Sequence, residues 1–138
     1  MLRRKGREIA LQILYQIEVT GIDLQEALQN YKNYLNVSEL KALSFAEDLL
    51  KGLLSHKEFI DEIIKRYAKN WPLERLNIND KNILRLALYE FFFRPDIPPV
   101  VSINEAVELA KLYGTDESPA FINGILDHVY KRELATKN

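Results

Sequence analysis

Asp80-Lys81-Asn82-Ile83-Leu84-Arg85-Leu86-Ala87-Leu88-Tyr89-Glu90-Phe91-Phe92-Phe93 is apolar almost all round when wound at helical period. Ile83, Leu84, Leu86, Ala87, Leu88, Phe91, Phe92 and Phe93 leave no wide polar face, and a helix of that kind has to be covered on several sides. The stretch therefore predicts a central helix, fifth in chain order and opening at Asn79 or Asp80, with the other elements wrapped around it. Upstream, Trp71-Pro72 interrupts the helical pattern, because proline disfavours helical backbone at the residue before it. Residues 70–77 read as a hinge between two helical halves. Downstream, Arg94-Pro95-Asp96-Ile97-Pro98-Pro99 ends the helix and makes a stiff connection.

Outward from the centre the apolar spacing stays helical, and neither a period-2 stretch nor a tight hairpin dipeptide occurs. A first helix over residues 4–20 carries Ile9, Ile13 and Ile17 with Ala10 and Leu14 beside them, and Gly21 supplies a left-handed stop. Asp23 with Glu26 caps a second, whose inner face is Leu24, Ala27, Leu28, Tyr31 and Leu35. Ser38 is the expected cap of a third, with Leu43, Ala46, Leu49, Leu50 and Leu53 inward. Ser55 with Glu58 is the expected capping box of a fourth, through Phe59, Ile60, Ile63, Ile64 and Tyr67. After the central helix, Ser102 with Glu105 reads as the capping box of a sixth that ends at Gly114. Ser118-Pro119 reads as a cap and first-turn proline of a seventh, burying Ile122, Ile125, Leu126 and Val129 and running to about residue 134. Seven helices with short connections make an all-α fold.

At 138 residues the chain has single-domain size, able to bury about two-thirds of its unfolded surface. It has no cysteine, which excludes disulfides, thiolate metal sites and a Cys nucleophile. No apolar run is long enough to cross a bilayer or serve as a secretory signal, so a soluble cytoplasmic protein is expected. The net charge of −1 hides an asymmetry. Residues 1–7 hold four of the nineteen basic side chains and no acid, whereas the other 131 residues carry 15 basic and 20 acidic groups. A cationic tip on an acidic chain suits an anionic partner bound at one edge.

Catalytic chemistry finds no foothold. His56 and His128 lie in different helices, and no paired-histidine or calcium-loop spacing is present. The five glycines are never closer than ten residues, so no phosphate-cradling loop forms. No catalytic residue, metal site or cofactor is expected. Arg3, Arg4, Lys5 and Arg7 are each able to neutralise a phosphate, and four such contacts to a single strand give a log–log salt slope of roughly −2 to −3. Four charges equally suit a solubilising terminus. Phe121, in the first turn of the last helix, reads either as a staple against the preceding loop or as a base-stacking ring.

Two long stretches make the chain recognisable. One runs Trp71-Pro72-Leu73-Glu74-Arg75-Leu76, then Asp80 to Glu90 as quoted. The other is Ile103-Asn104-Glu105-Ala106-Val107-Glu108-Leu109-Ala110-Lys111, then Phe121-Ile122-Asn123-Gly124-Ile125-Leu126-Asp127. With Arg4-Lys5-Gly6-Arg7-Glu8 and Ala10-Leu11-Gln12-Ile13-Leu14-Tyr15 at the start, the sequence resembles the NusB family of bacterial transcription antitermination factors along its whole length. The resemblance implies one all-helical domain over residues 1–138, in two packed helical subdomains of about 1–69 and 78–134. It implies no enzyme. It further implies pairing with NusE, a small-subunit ribosomal protein, binding of single-stranded boxA RNA in nascent ribosomal RNA transcripts, and assembly with other Nus factors and RNA polymerase to suppress Rho-dependent termination.

Carried onto these residues, the family's RNA contacts fall on Arg3, Arg4, Lys5 and Arg7, and on Glu117, Ser118 and Phe121. That turns the reading of Phe121 towards a base-contacting ring. Glu117 either accepts from a base amino group or trims non-specific phosphate binding. The NusE surface falls on Tyr15, Asp80 and Lys81. Glu105 reads as a cap partner, Gly124 as a close helix approach, and Asn104 with Asn123 as a tie between the last two helices. Two alternatives accompany this reading. One is a protein–protein adaptor whose basic tip is incidental. The other is a stand-alone relative of the leading domain of ribosomal RNA cytosine methyltransferases, whose catalytic cysteines this sequence lacks.

Overall fold

In a computed structural model describing residues 2–135, the chain forms seven α-helices and, among the described residues, no strand. In order these are α1 (Leu2–Thr20), α2 (Leu24–Lys32), α3 (Val37–Ser55), α4 (Lys57–Tyr67), α5 (Ile78–Phe93), α6 (Pro99–Tyr113) and α7 (Ser118–Val129). A single 3₁₀ turn, Leu73–Arg75, follows the Trp71-Pro72 break, and a π-helical turn, Tyr130–Leu134, extends α7. The all-α class read from the sequence holds.

α5 is central as its composition requires. It touches α1, α3, α4, α6 and α7, and every residue from Ile83 to Phe91 is buried. α1 lies along α3, α6 packs on α7, and one continuous core runs from Ile9 to Val129. Gly6 lets α1 approach α3 closely, since a Cβ there would sit 2.6 Å from Phe45 Cδ2 and 2.9 Å from the Ala42 carbonyl oxygen. Gly21, at φ 78°, is the left-handed stop of α1. Among the described residues, no helix is long and apolar enough to cross a membrane.

Several local expectations are corrected. α1 starts at Leu2, so the basic tip is itself helical. α2 ends at Lys32, and Leu35 packs on the core from beyond it. The cap of α3 is Asn36, not Ser38: its side chain accepts the Glu39 N–H at 2.9 Å and Glu39 returns a bond to the Asn36 N–H. Asn caps as well as Ser, and the extended backbone of Asn36 offers the geometry two residues earlier. Ser55 does not cap α4, because it still belongs to α3 and donates back to the Lys51 carbonyl. His56 occupies that cap position without a side-chain bond and stacks on Phe93 at 3.9 Å between centroids. Phe59, in the first turn of α4, is 45% exposed.

Ser102-Glu105 is not a capping box. Proline presets helical φ and suits a first turn, so α6 begins at Pro99 and places Ser102 inside the helix, facing the core. At α7, Glu117 takes the cap position and Ser118 is the first helical residue. Gly124 makes no close approach, with nothing within 4 Å of a built Cβ. Asn104 and Asn123 are exposed, and no hydrogen bond joins them.

Candidate nucleic-acid interface

The basic tip sits against the C-terminal end of α5. Arg7, the one tip cation turned inward, is 4% exposed and makes a bidentate pair with Glu90, itself 1% exposed, at 2.8 and 2.9 Å. Ser102 donates to the same carboxylate at 2.6 Å. The Arg7 guanidinium is thus held by the core. Arg3, Arg4 and Lys5 face solvent but are not bare: Arg3 lies 3.5 Å from Asp96, Arg4 pairs bidentately with Glu105 at 2.7 and 3.1 Å, and Lys5 lies 3.8 Å from Glu39. Arg3, Arg94 and Arg7 also gather about the Phe45 ring, 5.1, 5.5 and 5.6 Å from its centroid. The hydrogen bond from Arg94 holds the Asp96 carboxyl down at about 2, and that from Arg4 holds Glu105 below the ordinary carboxylate range.

The other candidate RNA residues lie elsewhere. Glu117, Ser118 and Phe121 line a cleft of about 240 Å³ at the N-terminal end of α5, together with Trp71, Arg75 and Asp80. Ten residues separate Asp80 from Glu90, about 15 Å along the helix axis. The seven candidates therefore fall into two clusters at opposite ends of α5. Ser118 supports the cleft wall by accepting the Thr115 N–H at 2.9 Å, and Asn77 caps α5 through the Asn79 and Asp80 amides. Asp80 is 9% exposed, and its Oδ1 has no hydrogen-bond partner among the described residues. Burial pushes its carboxyl above the ordinary range, with the Ser118 hydroxyl opposing the shift.

The candidate partner residues are likewise divided. Tyr15, 45% exposed, borders a shallow recess with Gln12 and Tyr113. Lys81 turns to Glu18, one helical turn beyond Tyr15 on α1, while Arg85 grips Asp61 at 2.8 and 3.0 Å beside it. Asp80 opens to the cleft and not to this side. Among the described residues, no group of three or more histidine or acidic side chains converges to hold a metal ion.

Sequence reasoning missed Trp71 and Arg75 as cleft residues and Phe45, Asp96 and Glu105 as partners of the tip. Trp71-Pro72 signalled only a helix break, and nothing local to Glu105 marks Arg4, 101 residues away, as its partner.

These placements can be set beside known proteins. A family model described as the NusB family matches residues 4–131. The transcription antitermination protein NusB of Desulfitobacterium hafniense is 50% identical over 131 residues, covering 94% of this chain and 88% of that protein. Among solved structures, T. maritima NusB aligns with a TM-score of 0.82 at 37% identity, covering 98% of this chain and 94% of that one. A chain from the crystal structure of antitermination factors NusB and NusE in complex with dsRNA aligns with a TM-score of 0.81 at 28% identity, covering 94% and 96%. With a family match of this extent and a fold shared end to end, the chain belongs to the NusB family.

Proposed function

We propose that the protein is a non-enzymatic transcription antitermination factor. With NusE it binds single-stranded boxA RNA of nascent ribosomal transcripts and, with other Nus factors and RNA polymerase, opposes Rho-dependent termination. One observation carries this reading: the likeness to NusB proteins is continuous along the chain and includes a NusB solved together with NusE and RNA.

The geometry supports a division of labour. Arg3, Arg4 and Lys5 offer phosphate contacts from solvent, and Phe121 with Glu117 and Ser118 offers base contacts at the far end of α5. Exposed ion pairs contribute at most about 1 kcal/mol each, so exchanging Asp96, Glu105 and Glu39 for phosphates is energetically easy. Arg7 keeps its buried partner and holds the tip in place. Tyr15 and Lys81 mark the side on which NusE docks, where rim charges set orientation and association rate more than affinity.

The test is a titration of labelled single-stranded boxA RNA at two salt concentrations, with and without NusE. Tighter binding with NusE is expected, along with a log–log salt slope near −2 from three phosphate contacts. Equal affinity in both arms overturns the joint-binding reading.

A further inference from the structure

Asp96 is shared by two arginines from distant parts of the chain. Arg94, just after α5, holds it in a fork, with both of its donated hydrogen bonds at 2.9 Å, and Arg3 in α1 reaches the same Oδ2 at 3.5 Å. Both guanidiniums lie near the Phe45 ring, 5.5 and 5.1 Å from its centroid, and a ring face attracts cations and keeps them gathered. The loop does not need this carboxylate for its shape. The Ile97 N–H bonds the Arg94 carbonyl at 3.0 Å, Ile97 itself is buried, and Pro95, Pro98 and Pro99 restrict the backbone on either side. An exposed pair two residues apart adds little to a turn already closed in this way. What the carboxylate does is fill the space between two converging guanidiniums. The hydrogen bond from Arg94 holds its carboxyl at about 2, so the group is an anion throughout the neutral range. Its side chain is 47% exposed and can swing into water without disturbing the core.

We propose that Arg3 and Arg94 form a seat for one phosphate of bound RNA, that Asp96 occupies this seat in the free protein, and that RNA displaces it. The inference rests on the RNA-binding reading above, and adds Arg94 as a phosphate ligand with Asp96 as its resident competitor. An arginine fork takes a phosphate in the same bidentate manner as a carboxylate. The two anions differ in how they arrive. Asp96 is tethered two residues from Arg94 and meets it at a high effective concentration, which free phosphate does not match. A phosphate on a strand already held by Arg4 and Lys5 is tethered as well, and competes on equal terms. The seat thereby admits a polymer and refuses small anions.

The test titrates end-labelled single-stranded boxA RNA with the full-length protein and follows label anisotropy, with and without NusE. Four variants accompany the parent: Arg94→Ala, Asp96→Asn, the two together, and Asp48→Asn. The last removes the same charge from an exposed carboxylate of α3 that has no ion pair among the described residues. Asp96→Asn is expected to tighten binding about fivefold and Arg94→Ala to weaken it by a similar factor, with melting close to the parent's by circular dichroism. In the Arg94→Ala background Asp96→Asn should gain less than about twofold, because the seat is already broken. Asp48→Asn should also stay within about twofold of the parent. The titrations are then repeated with inorganic phosphate replacing chloride at equal ionic strength. Phosphate should leave the parent's affinity unchanged and weaken that of Asp96→Asn, a difference that a merely structural Asp96 would not produce.

An Asp96→Asn variant that binds no more tightly than the parent, or an Asp48→Asn variant that gains as much, overturns the proposal and leaves RNA binding standing. So does an Arg94→Ala variant that keeps full affinity, or a parent that is as sensitive to phosphate as Asp96→Asn. Should no RNA bind even with NusE, the RNA-binding reading falls first and takes this inference with it.

Discussion

The two ends of α5 are built on opposite principles. At the C-terminal end, Glu90 receives a bidentate arginine and a serine hydroxyl, and the exposed cations beside it each have a carboxylate. At the N-terminal end, Asp80 is nearly as buried but, among the described residues, keeps an oxygen with no donor, next to an arginine with no ion pair there and an exposed tryptophan. Satisfied polar groups rigidify, whereas unsatisfied ones mark where something else is expected to arrive. The contrast separates residues that hold the fold from residues held ready by it, although both ends are rich in charge.

The largest expected effect breaks the closed end. Arg7→Ala strands Glu90 in the core and should lower stability by about 3–5 kcal/mol in urea unfolding, while the paired replacement Arg7→Met with Glu90→Leu should recover most of it. A loss under 1 kcal/mol for the single variant would mean that Arg7 is as free as its neighbours. Next, Arg3→Ala, Arg4→Ala and Lys5→Ala together should weaken boxA binding by tenfold or more at low salt and remove about two units from the salt slope. Circular dichroism should show melting nearly unchanged, since these pairs are exposed. Unchanged affinity with an intact fold would instead favour a pure protein adaptor. Ser102→Ala, which takes one donor from Glu90 and leaves Arg7, should cost about 1 kcal/mol.

The smallest effect distinguishes the ends by pH. Asp96 is held at about 2, below its unfolded value near 3.9, so its contribution is complete above pH 4 and is lost as pH falls towards 2. Asp80 behaves in the opposite sense. Its folded value is raised, so its protonated form is the one the fold favours, and stability declines as pH rises through that value. Asp80→Asn cannot ionise and should melt slightly higher than the parent at pH 7, with the gap closing below about pH 4. A gap that ignores pH would show that Asp80 carries no burial penalty.

Much of this was legible in the sequence, for reasons that can be stated residue by residue. Leu43, Ala46, Leu49, Leu50 and Leu53 repeat at helical spacing and are all buried, and Ile83 to Phe91 announced a helix covered on all sides. Gly21 and the Asp23 cap are local signals and appear where they were read. Ser102 misled because Pro98-Pro99 starts the helix earlier and a serine looks the same whether it caps or faces inward. Arg7 misled because its partner lies 83 residues away, and a basic run gives no sign of which member turns inside. Asp80 was read as part of a partner surface, and its burial beside Ser118, 38 residues on, is a long-range contact that no local pattern encodes. Residues that act through distant partners are the ones a linear reading places by type and not by surroundings.

Gly6 has a bearing on variation along the basic tip. Arg3, Arg4 and Lys5 can drift in identity or order, since water tolerates many arrangements at an exposed terminus. Position 6 has no such latitude, because even one methyl would drive into Phe45 and the Ala42 carbonyl and lever α1 off its neighbour. The aim of the arm is thus fixed by its smallest member, a pivot pin that homologous proteins should replace far less readily than the charges it steers.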